Sequence, residues 1–422
     1  MHSVTNAIPT GTIASIPAKA HAHRALICAG LASSPSTILL SRTSKDIDAT
    51  MDSLRGLGAH VVYENKVVTV TPGPAPTKGD VVPHESGTTL RLLLPVAASI
   101  CNNVDVDAKG RLPDRPLEPM LSEMKAHGVI FSQDKPPFTM TGRLQGGNFS
   151  MVGDVSSQFF SGLLLAAPQI GLSTITSTTP LQSSDYVTLT TETMRDFGVE
   201  VEHTLPNTNI NEAFTVPFGA SFIGRDNYQI EGDWSNAAIW MIAAGMTGKP
   251  ITITGMNKNS VQADRRIMQV MIDAGCDVVW DGMNVTVTGR ASKPIHANLE
   301  QMPDMLPVMA ALACSISGES SFIKGARLRL KESDRLIAVA NLVRDLGGTV
   351  REEGDDLYII GSGILKGGHG DCVNDHRLVM AGTLMALISE NPVTLKDSEA
   401  ITKSYPDFFE DWNLLGGDAH GI

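Results

Sequence analysis

Three arginines, Arg24, Arg91 and Arg377, each stand at the beginning of a long apolar run in this sequence. An apolar run of helical length predicts a buried helix, whose first backbone amides are unpaired and carry a partial positive charge. An arginine at that position opposes the helix dipole, so its presence there indicates an anionic partner. Phosphate and carboxylate groups bind well to helix N-termini and to arginine. The three arginines therefore predict sites for small anions.

Short polar clusters precede six such apolar runs altogether. The clusters occupy residues 19–24, 85–89, 154–158, 233–236, 303–305 and 374–377. Asp, Ser, Asn and Thr are also the usual N-cap residues, so any one cluster taken alone favours plain capping. Six clusters together, several of them with Lys or Arg, favour anion binding.

The elements that position these clusters form an internal repeat. A helical segment followed by a glycine recurs about every 70 residues, and glycine after a helix is a typical C′ signal. The glycines are Gly58, Gly128, Gly198, Gly275, Gly347 and Gly416. Segments with hairpin character follow several of them, namely Val61–Val70, Val278–Thr288 and Thr349–Ile360. The pattern predicts six α/β units, each with one buried helix and one amphipathic helix.

The sixth unit needs a strand from elsewhere, because only Gly417 to Ile422 follow its last glycine. Thr10–Ile16 is predicted to be that strand. Six units then divide as three and three, with the chain crossing near Glu231. We predict an N-terminal lobe of residues 19–231, and a C-terminal lobe of residues 1–18 and 232–422 that the N-terminal strand completes.

Composition narrows the class of protein. The chain has 422 residues, 42% hydrophobic and 18% charged, which is typical of a globular protein. A net charge of −12 argues against general nucleic-acid binding and against a polybasic membrane anchor. The longest apolar stretch, near Ala237–Met246, is too short to span a bilayer, and no secretion signal is recognisable. Five scattered cysteines without a C-x-x-C pair predict free thiols in a reducing cytoplasm rather than a zinc site.

Nearly the whole chain resembles the EPSP synthases, a group within the enolpyruvyl transferase family. The matching motifs are Lys19…His23-Arg24-Ala-Leu, Ser86-Gly-Thr-Thr-Leu-Arg91, Asp114-Arg-Pro116, Ser156-Ser-Gln158, Glu231-Gly-Asp233, Pro303-Asp304, Lys331-Glu-Ser-Asp-Arg335, Asn374-Asp-His-Arg377 and Lys403-Ser-Tyr-Pro-Asp407. The resemblance implies a two-lobed inside-out α/β barrel of six βαβαββ repeats, three per lobe. This agrees with the count of six units reached from the glycines.

The resemblance also implies a reaction. The enolpyruvyl group of phosphoenolpyruvate would move to the 5-hydroxyl of 3-phosphoshikimate by addition and elimination, with release of phosphate, during chorismate and aromatic amino acid biosynthesis. No metal or organic cofactor is expected. The partners would be these two small anions, without nucleic acid or membrane, and the protein would be a cytoplasmic monomer.

The residue roles implied by the resemblance fall into three sets. Phosphoenolpyruvate would be bound by Lys19, Gly87, Arg115, Gln158, Arg335, Arg377 and Lys403. The other substrate, 3-phosphoshikimate, would be bound by Lys19, Arg24, Ser156, Ser157, Gln158, Ser183, Asp304 and Lys331, with Tyr186 close by. The catalytic set would be Asp304, Glu332, Lys19 and Lys331.

In that catalytic set, Asp304 would act as the base for the 5-hydroxyl, while Glu332 and Lys331 would handle the proton at the methylene carbon. Two structural alternatives compete with these roles. Asp304 could be a simple helix cap after Pro303, and residues 331–335 could be a solvated charge run.

Three positions depart from the family pattern. Ala20 stands where serine is usual, Glu85 where asparagine is common, and Ser184 where lysine is frequent. Losing the serine removes one hydrogen bond to a charged group. We therefore expect weaker binding of 3-phosphoshikimate than is usual in the family, or compensation by His21 or His23.

Two other functions remain open at this point. The related UDP-N-acetylglucosamine enolpyruvyl transferases use a loop cysteine, and the loop Arg111–Arg115 contains none. A non-catalytic anion-binding relative would explain the three departures. Against it, every acid, base and arginine position of the family pattern is occupied.

Overall fold

The computed structural model describes residues 1–208 and 210–422, and over these ranges the chain is a mixed α/β protein. The strands are β1 His2–Val4, β2 Gly11–Ala14, β3 Ser36–Leu39, β4 His60–Glu64, β5 Val67–Thr71, β6 Gly79–Val81, β7 Asn103–Val106, β8 Ile130–Phe131, β9 Phe138–Thr141, β10 Asn148–Met151, β11 Ser173–Ser177, β12 Glu202–Thr204, β13 Glu212–Val216, β14 Tyr228–Gln229, β15 Ile251–Thr254, β16 Asp277–Asp281, β17 Asn284–Thr288, β18 His296–Asn298, β19 Gly318–Ile323, β20 Thr349–Glu353, β21 Asp356–Gly361, β22 Gly368–Asp371, β23 Val393–Lys396 and β24 Ala419–Gly421.

Two kinds of α-helix alternate along the chain. The helices are α1 Lys19–Gly30, α2 Lys45–Gly56, α3 Gly87–Ile100, α4 Met120–Ala126, α5 Ser157–Ile170, α6 Ser184–Asp196, α7 Trp234–Thr247, α8 Ile267–Asp273, α9 Leu306–Ser315, α10 Arg335–Asp345, α11 His376–Ala386 and α12 Phe408–Leu414. The odd-numbered helices are buried over most of their length. The even-numbered helices bury only part of their surface and correspond to the predicted amphipathic helices.

The strands of the described residues form six four-stranded sheets of the same design. In the second sheet, β6 and β7 are parallel, β9 is antiparallel to β7, and β8 lies at the edge beside β9. A helix connects β6 with β7, and another connects β7 with β8. The same strand order recurs in the other sheets, so the predicted repeat is present.

The local signals that predicted the repeat have direct structural counterparts. The glycines that follow the amphipathic helices all have positive φ, between 88° and 102°. Their lack of a Cβ lets the chain leave each helix through the left-handed region. The three predicted hairpins are also present, as β4–β5, β16–β17 and β20–β21.

The N-terminal segment supplies two strands to two different sheets. The prediction that Thr10–Ile16 completes the sixth unit is wrong, because β2 pairs in parallel with β15 of the fourth sheet. The strand that completes the sixth sheet is β1, which lies between β23 and β24. The last residues of the chain form β24 themselves.

The chain separates into two compact units, each with its own hydrophobic core. The N-terminal unit is Pro17–Ile230, and the C-terminal unit is Met1–Ile16 with Glu231–Ile422. In the N-terminal unit the buried helices α1, α3 and α5 carry the predicted anion clusters at their starts. In the C-terminal unit α7, α9 and α11 do so. Over the described ranges, each helix is too short or too polar to cross a bilayer.

Candidate functional site

Arg24 in the N-terminal unit is a buried cation bonded to uncharged acceptors. Its guanidinium donates to the carbonyl oxygens of Ala20 at 2.7 Å and Tyr186 at 2.9 Å. It also donates to the hydroxyl oxygens of Thr190 at 2.6 Å and Ser161 at 3.3 Å. Burial lowers the pKa of Arg24 to about 10, which leaves it protonated at neutral pH. Four neutral acceptors leave its positive charge uncompensated by those contacts, which favours an anionic ligand.

These contacts also bring three helices together, because Ser161 belongs to α5 and both Tyr186 and Thr190 belong to α6. The start of α3 joins them through Gln158 on α5. The Gln158 amide donates to the Thr88 hydroxyl at 2.9 Å, and its oxygen accepts from Arg91 at 3.1 Å. Arg91 also donates to the carbonyl of Pro116, next to Arg115.

Gly87, the first residue of α3, lies against the guanidinium of Arg115. A Cβ added at Gly87 would come within 2.6 Å of an Arg115 terminal nitrogen. Because residue 87 has no side chain, the Arg115 guanidinium can lie directly against the start of α3.

Under the reaction that the family resemblance implies, replacing Gly87 with alanine is expected to displace the Arg115 guanidinium and to raise the KM for phosphoenolpyruvate about ten- to a hundredfold, because a misplaced charge binds its anion poorly. The KM for 3-phosphoshikimate should change much less. Steady-state kinetics on both substrates measures this, with Gly421→Ala as a control at a glycine with open space around it. Equal KM values for the two variants would contradict the prediction that Gly87 is needed to place the Arg115 guanidinium.

Lys19 at the start of α1 makes an ion pair with Asp46, with 2.9 Å between Nζ and Oδ2. The Asp46 carbonyl also accepts a hydrogen bond from the Thr89 hydroxyl at 3.3 Å. Asp46 thus connects Lys19 with the start of α3. Sequence reasoning missed Asp46, because no pattern joins it to a lysine 27 residues earlier.

The three predicted phosphate-binding serines lie at helix starts of the N-terminal unit. Ser156 is the N-cap of α5 and Ser157 is its first residue. Ser183 is the N-cap of α6 and is buried with φ 54° and ψ 41°, a left-handed conformation that is uncommon outside glycine. Backbone strain of this kind concentrates at binding sites. The α6 helix packs against α5, so Ser183 lies on a neighbouring element.

The histidines expected to compensate for Ala20 are engaged elsewhere. The His21 ring shares a hydrogen bond of 2.8 Å with the Tyr228 hydroxyl. The buried His23 ring shares one of 2.7 Å with the Thr50 hydroxyl. These contacts give no support to compensation by either histidine.

In the C-terminal unit, the predicted residues meet around Arg335, the first residue of α10. This side chain is 2% exposed. Its guanidinium donates to both oxygens of Asp375, at 2.8 and 3.2 Å, and to Asp304 and Glu332, each at 2.6 Å. Burial opposes its charge, but these three carboxylates raise the pKa of Arg335 well above its usual range.

Asp304 contacts a second cation, the Lys331 ammonium, at 3.0 Å. Burial favours the protonated carboxyl, but Lys331, Arg335 and Arg377 outweigh it and hold the pKa of Asp304 well below its usual range. Burial lowers the pKa of Lys331, with Asp304 opposing and Arg335 adding to the decrease. Asp304 is thus ionised at neutral pH, and the Lys331 ammonium gives up a proton more easily than an exposed lysine.

The two structural alternatives for these residues are wrong. The N-cap of α9 is Met305, which makes no side-chain cap, so Asp304 does not cap that helix. The segment Lys331–Arg335 is not a solvated charge run, because Ser333 and Arg335 are buried and Lys331 is only 20% exposed.

Arg377 and Lys403 are held beside this cluster by the start of α11. Asp375, fully buried, caps α11 by accepting from the Arg377 amide at 3.0 Å, and it also accepts from the Ser333 hydroxyl at 2.9 Å. The Lys403 ammonium donates to the Asn374 carbonyl at 2.8 Å. Asp375 lies inside a motif that the sequence singled out, but its role as the main partner of Arg335 was missed.

The turn that delivers Asp375 has an unusual backbone. Val373 and Asn374 both have positive φ, 44° and 55°. A left-handed valine is a clear outlier, because its branched Cβ crowds the backbone there. Such strain persists only where the surroundings enforce it, and here it orients the Asn374 carbonyl toward Lys403.

Among the described residues, no group of three or more His, Cys, Asp or Glu side chains is arranged so that it could hold a metal ion. What the arrangement provides is two sets of residues. The N-terminal unit has cations and hydroxyl groups at adjoining helix starts, suited to phosphate and carboxylate. The C-terminal unit has an ionised carboxylate in contact with an ammonium whose pKa burial lowers, and both are groups of the kind that take part in proton transfer.

Comparison with known proteins identifies what the chain is similar to. The family model described as EPSP synthase (3-phosphoshikimate 1-carboxyvinyltransferase) matches residues 7–412. A 3-phosphoshikimate 1-carboxyvinyltransferase from Clostridium kluyveri is 35% identical over 413 residues, covering 97% of this chain and 95% of that protein. One from Methanocorpusculum labreanum is 34% identical, covering 97% of each chain. A solved EPSP synthase from Acinetobacter baumannii has a TM-score of 0.80 at 22% identity and covers 99% of both chains.

Proposed function

The chain belongs to the EPSP synthase family, and we propose that it carries out the family reaction with two sets of residues, one in each unit. The reaction transfers the enolpyruvyl group of phosphoenolpyruvate to 3-phosphoshikimate and releases phosphate, a step of aromatic amino acid biosynthesis. The observation that carries the proposal is the cluster of Asp304, Lys331, Glu332 and Arg335. This cluster holds an ionised carboxylate against an ammonium whose pKa is lowered by burial.

We assign 3-phosphoshikimate mainly to the N-terminal unit. Arg24, whose four acceptors are neutral, would pair with the substrate carboxylate. Ser156, Ser157 and Ser183, at the starts of α5 and α6, would donate to the 3-phosphate. The remaining ligands proposed for this substrate are Lys19, Gln158, Asp304 and Lys331.

The residues proposed for phosphoenolpyruvate binding rest on the family resemblance. They are Lys19, Gly87, Arg115 and Gln158 of the N-terminal unit, and Arg335, Arg377 and Lys403 of the C-terminal unit. Arginine suits this substrate because its planar fork pairs with both oxygens of a carboxylate or phosphate. Gly87 contributes by leaving room for the Arg115 guanidinium.

The proton transfers balance over two steps. In the addition, Asp304 accepts the proton of the 5-hydroxyl, the oxygen attacks C2 of phosphoenolpyruvate, and the methylene carbon receives a proton from the Lys331 ammonium. The tetrahedral product carries a methyl group and the phosphate on one carbon. In the elimination, that methyl group returns a proton to Lys331, directly or through Glu332, and phosphate leaves with the proton that Asp304 took up. Lys19 belongs to the catalytic set because its cation would balance the charge of the reacting groups.

Three wider features are part of the same proposal and rest on the family resemblance. They are the two-lobed inside-out barrel, with lobes at residues 19–231 and at 1–18 with 232–422, the monomeric state, and a cytoplasmic location. The location has one further support. All five cysteines, which lie within the described residues, are buried free thiols, as a reducing compartment favours.

Restoring serine at position 20 is expected to lower the KM for 3-phosphoshikimate about tenfold, because a hydrogen bond to a charged group contributes about 1.5–3 kcal/mol. The Ala20 carbonyl already holds Arg24, so the new hydroxyl would lie next to the proposed carboxylate ligand. Steady-state kinetics of Ala20→Ser measures this, with Ala126→Ser at an exposed position of α4 as the control. An unchanged KM for 3-phosphoshikimate would show that alanine at position 20 does not weaken binding of this substrate.

The proposal as a whole is tested by identifying the product. Phosphorus NMR of the protein with both substrates should show inorganic phosphate and an enolpyruvyl ether of 3-phosphoshikimate appearing in equal amounts. Phosphate without the ether would mean that the protein only hydrolyses phosphoenolpyruvate, which would contradict the proposal.

A further inference from the structure

A segment of the C-terminal unit, Asn257–Asp264, holds the first turn of α7 by side-chain contacts; we refer to it as the clamp segment. It binds Glu231 from three sides. One Glu231 carboxylate oxygen accepts from the Ser260 hydroxyl and from the Gln262 amide, both at 2.8 Å, and the other accepts from the Asn257 amide at 3.0 Å. The residues that lead into α7 are therefore fixed before the helix begins.

The clamp segment continues along the helix start. The Trp234 amide donates to the Gln262 side-chain oxygen at 3.0 Å, and the Trp234 indole donates to the Asn257 carbonyl at 3.2 Å. The Ser235 hydroxyl donates a hydrogen bond to the Asp264 carboxylate. Asp264 thus ends the clamp segment and holds the second residue of α7.

Ser235 in turn holds Arg377, one of the proposed ligands of phosphoenolpyruvate. Its main-chain carbonyl accepts from an Arg377 terminal nitrogen at 2.9 Å. The same nitrogen contacts the sulfur of Met380 at 3.8 Å, and the Arg377 Nε is buried without a partner in the described residues. The Ser235 carbonyl is therefore the closest anchor of this guanidinium.

Burial of the Asp264 carboxylate at this position is energetically unfavourable. Asp264 is 1% exposed, and its second carboxylate oxygen is buried without a hydrogen-bond partner among the described residues. Burial, aided by repulsion from Asp304 and Asp233 and opposed by Arg377, raises the pKa of Asp264 to about 6. A buried, half-satisfied carboxylate costs stability, so stability does not account for its presence.

We propose that Asp264 is a positioning residue for Arg377. By fixing Ser235, it fixes the carbonyl that orients the Arg377 guanidinium toward the carboxylate of phosphoenolpyruvate. This inference rests on the proposed function, which makes Arg377 a ligand of that substrate.

A double-mutant cycle tests the connection, because residues that act through one another give non-additive effects. The variants are Asp264→Ala, Arg377→Gln and the double variant, each measured as kcat/KM for phosphoenolpyruvate at saturating 3-phosphoshikimate. Asp264→Ala is expected to lower this value about tenfold, mainly through KM. In the Arg377→Gln background the same change should have less than about a twofold effect.

Two conservative variants separate positioning from simple destabilisation. Asp264→Asn keeps an oxygen that can accept from Ser235 and should recover most of kcat/KM. Ser235→Ala removes the hydroxyl, keeps the Asp264 charge, and should resemble Asp264→Ala. Asp411→Asn is the control, since it alters another buried carboxylate of this unit, bonded to the Tyr405 hydroxyl at 2.7 Å. If Asp264→Ala does not fold, Ser235→Ala takes its place in the cycle.

The results distinguish failure of this inference from failure of the function. Additive losses in the cycle, or an equal rise in KM for both substrates, would overturn the role of Asp264 in an active enzyme. An unmodified protein that releases no phosphate from the two substrates would overturn the proposed function, and the inference with it.

Discussion

Replacing Asp304 with asparagine is expected to lower kcat by about 10²- to 10⁴-fold, the usual contribution of a general base. Lys331 and Arg335 keep this carboxylate ionised at neutral pH, and an amide cannot take up the proton of the 5-hydroxyl. The fold should survive, because Arg335 keeps its contacts with Asp375 and Glu332. Steady-state kinetics at saturating substrates measures kcat, and circular dichroism on the same samples shows whether the fold is preserved.

The matched control for this prediction is Asp355→Asn. Asp355 also pairs with an arginine of the C-terminal unit, Arg329 at 2.8 Å, but it lies outside the Arg335 cluster. Its kcat should stay within about twofold of the unmodified protein, as for a surface ion pair. A folded Asp304→Asn variant with the kcat of the control would exclude Asp304 as the base.

Replacing Asp375 with alanine is expected to reduce the free energy of unfolding by about 3–5 kcal/mol, the usual cost of removing one partner from a buried ion pair. Asp375 is fully buried and binds both Nε and a terminal nitrogen of Arg335. It also accepts from the Arg377 amide as the cap of α11. Its loss would leave the buried Arg335 with Asp304 and Glu332 alone.

Urea unfolding measures this loss, and Asp134→Ala provides the comparison. Asp134 pairs with Lys125 at 2.7 Å on the surface, so its removal should cost less than about 1 kcal/mol. Equal losses for the two variants would mean that Asp375 contributes only as an ordinary surface charge does.

The repeat could be predicted because its signals are local. Each glycine marks the end of its own helix, and the alternation of apolar residues marks the hairpins beside it. The partner of the N-terminal strand could not be predicted in the same way. Strands β1 and β2 are both short and pair with strands far along the chain, so their choice depends on long-range packing. Sequence reasoning therefore chose the wrong one of the two.

The same distinction holds for the candidate site. Motif resemblance brought forward Asp304, Lys331, Glu332 and Arg335, and the structure clusters them. The motifs did not indicate Asp264, because its proposed role depends on one hydrogen bond from Ser235, 29 residues earlier in the chain. Contacts of this kind follow from the packing of elements and leave no pattern in the chain.

Transfer of an enolpyruvyl group to 3-phosphoshikimate by this protein is tested most directly by phosphate release under matched conditions. Three mixtures are compared: phosphoenolpyruvate with 3-phosphoshikimate, phosphoenolpyruvate with UDP-N-acetylglucosamine, and phosphoenolpyruvate alone. The account predicts rapid release in the first mixture and background release in the other two. Release with UDP-N-acetylglucosamine, or background release in all three, would contradict it.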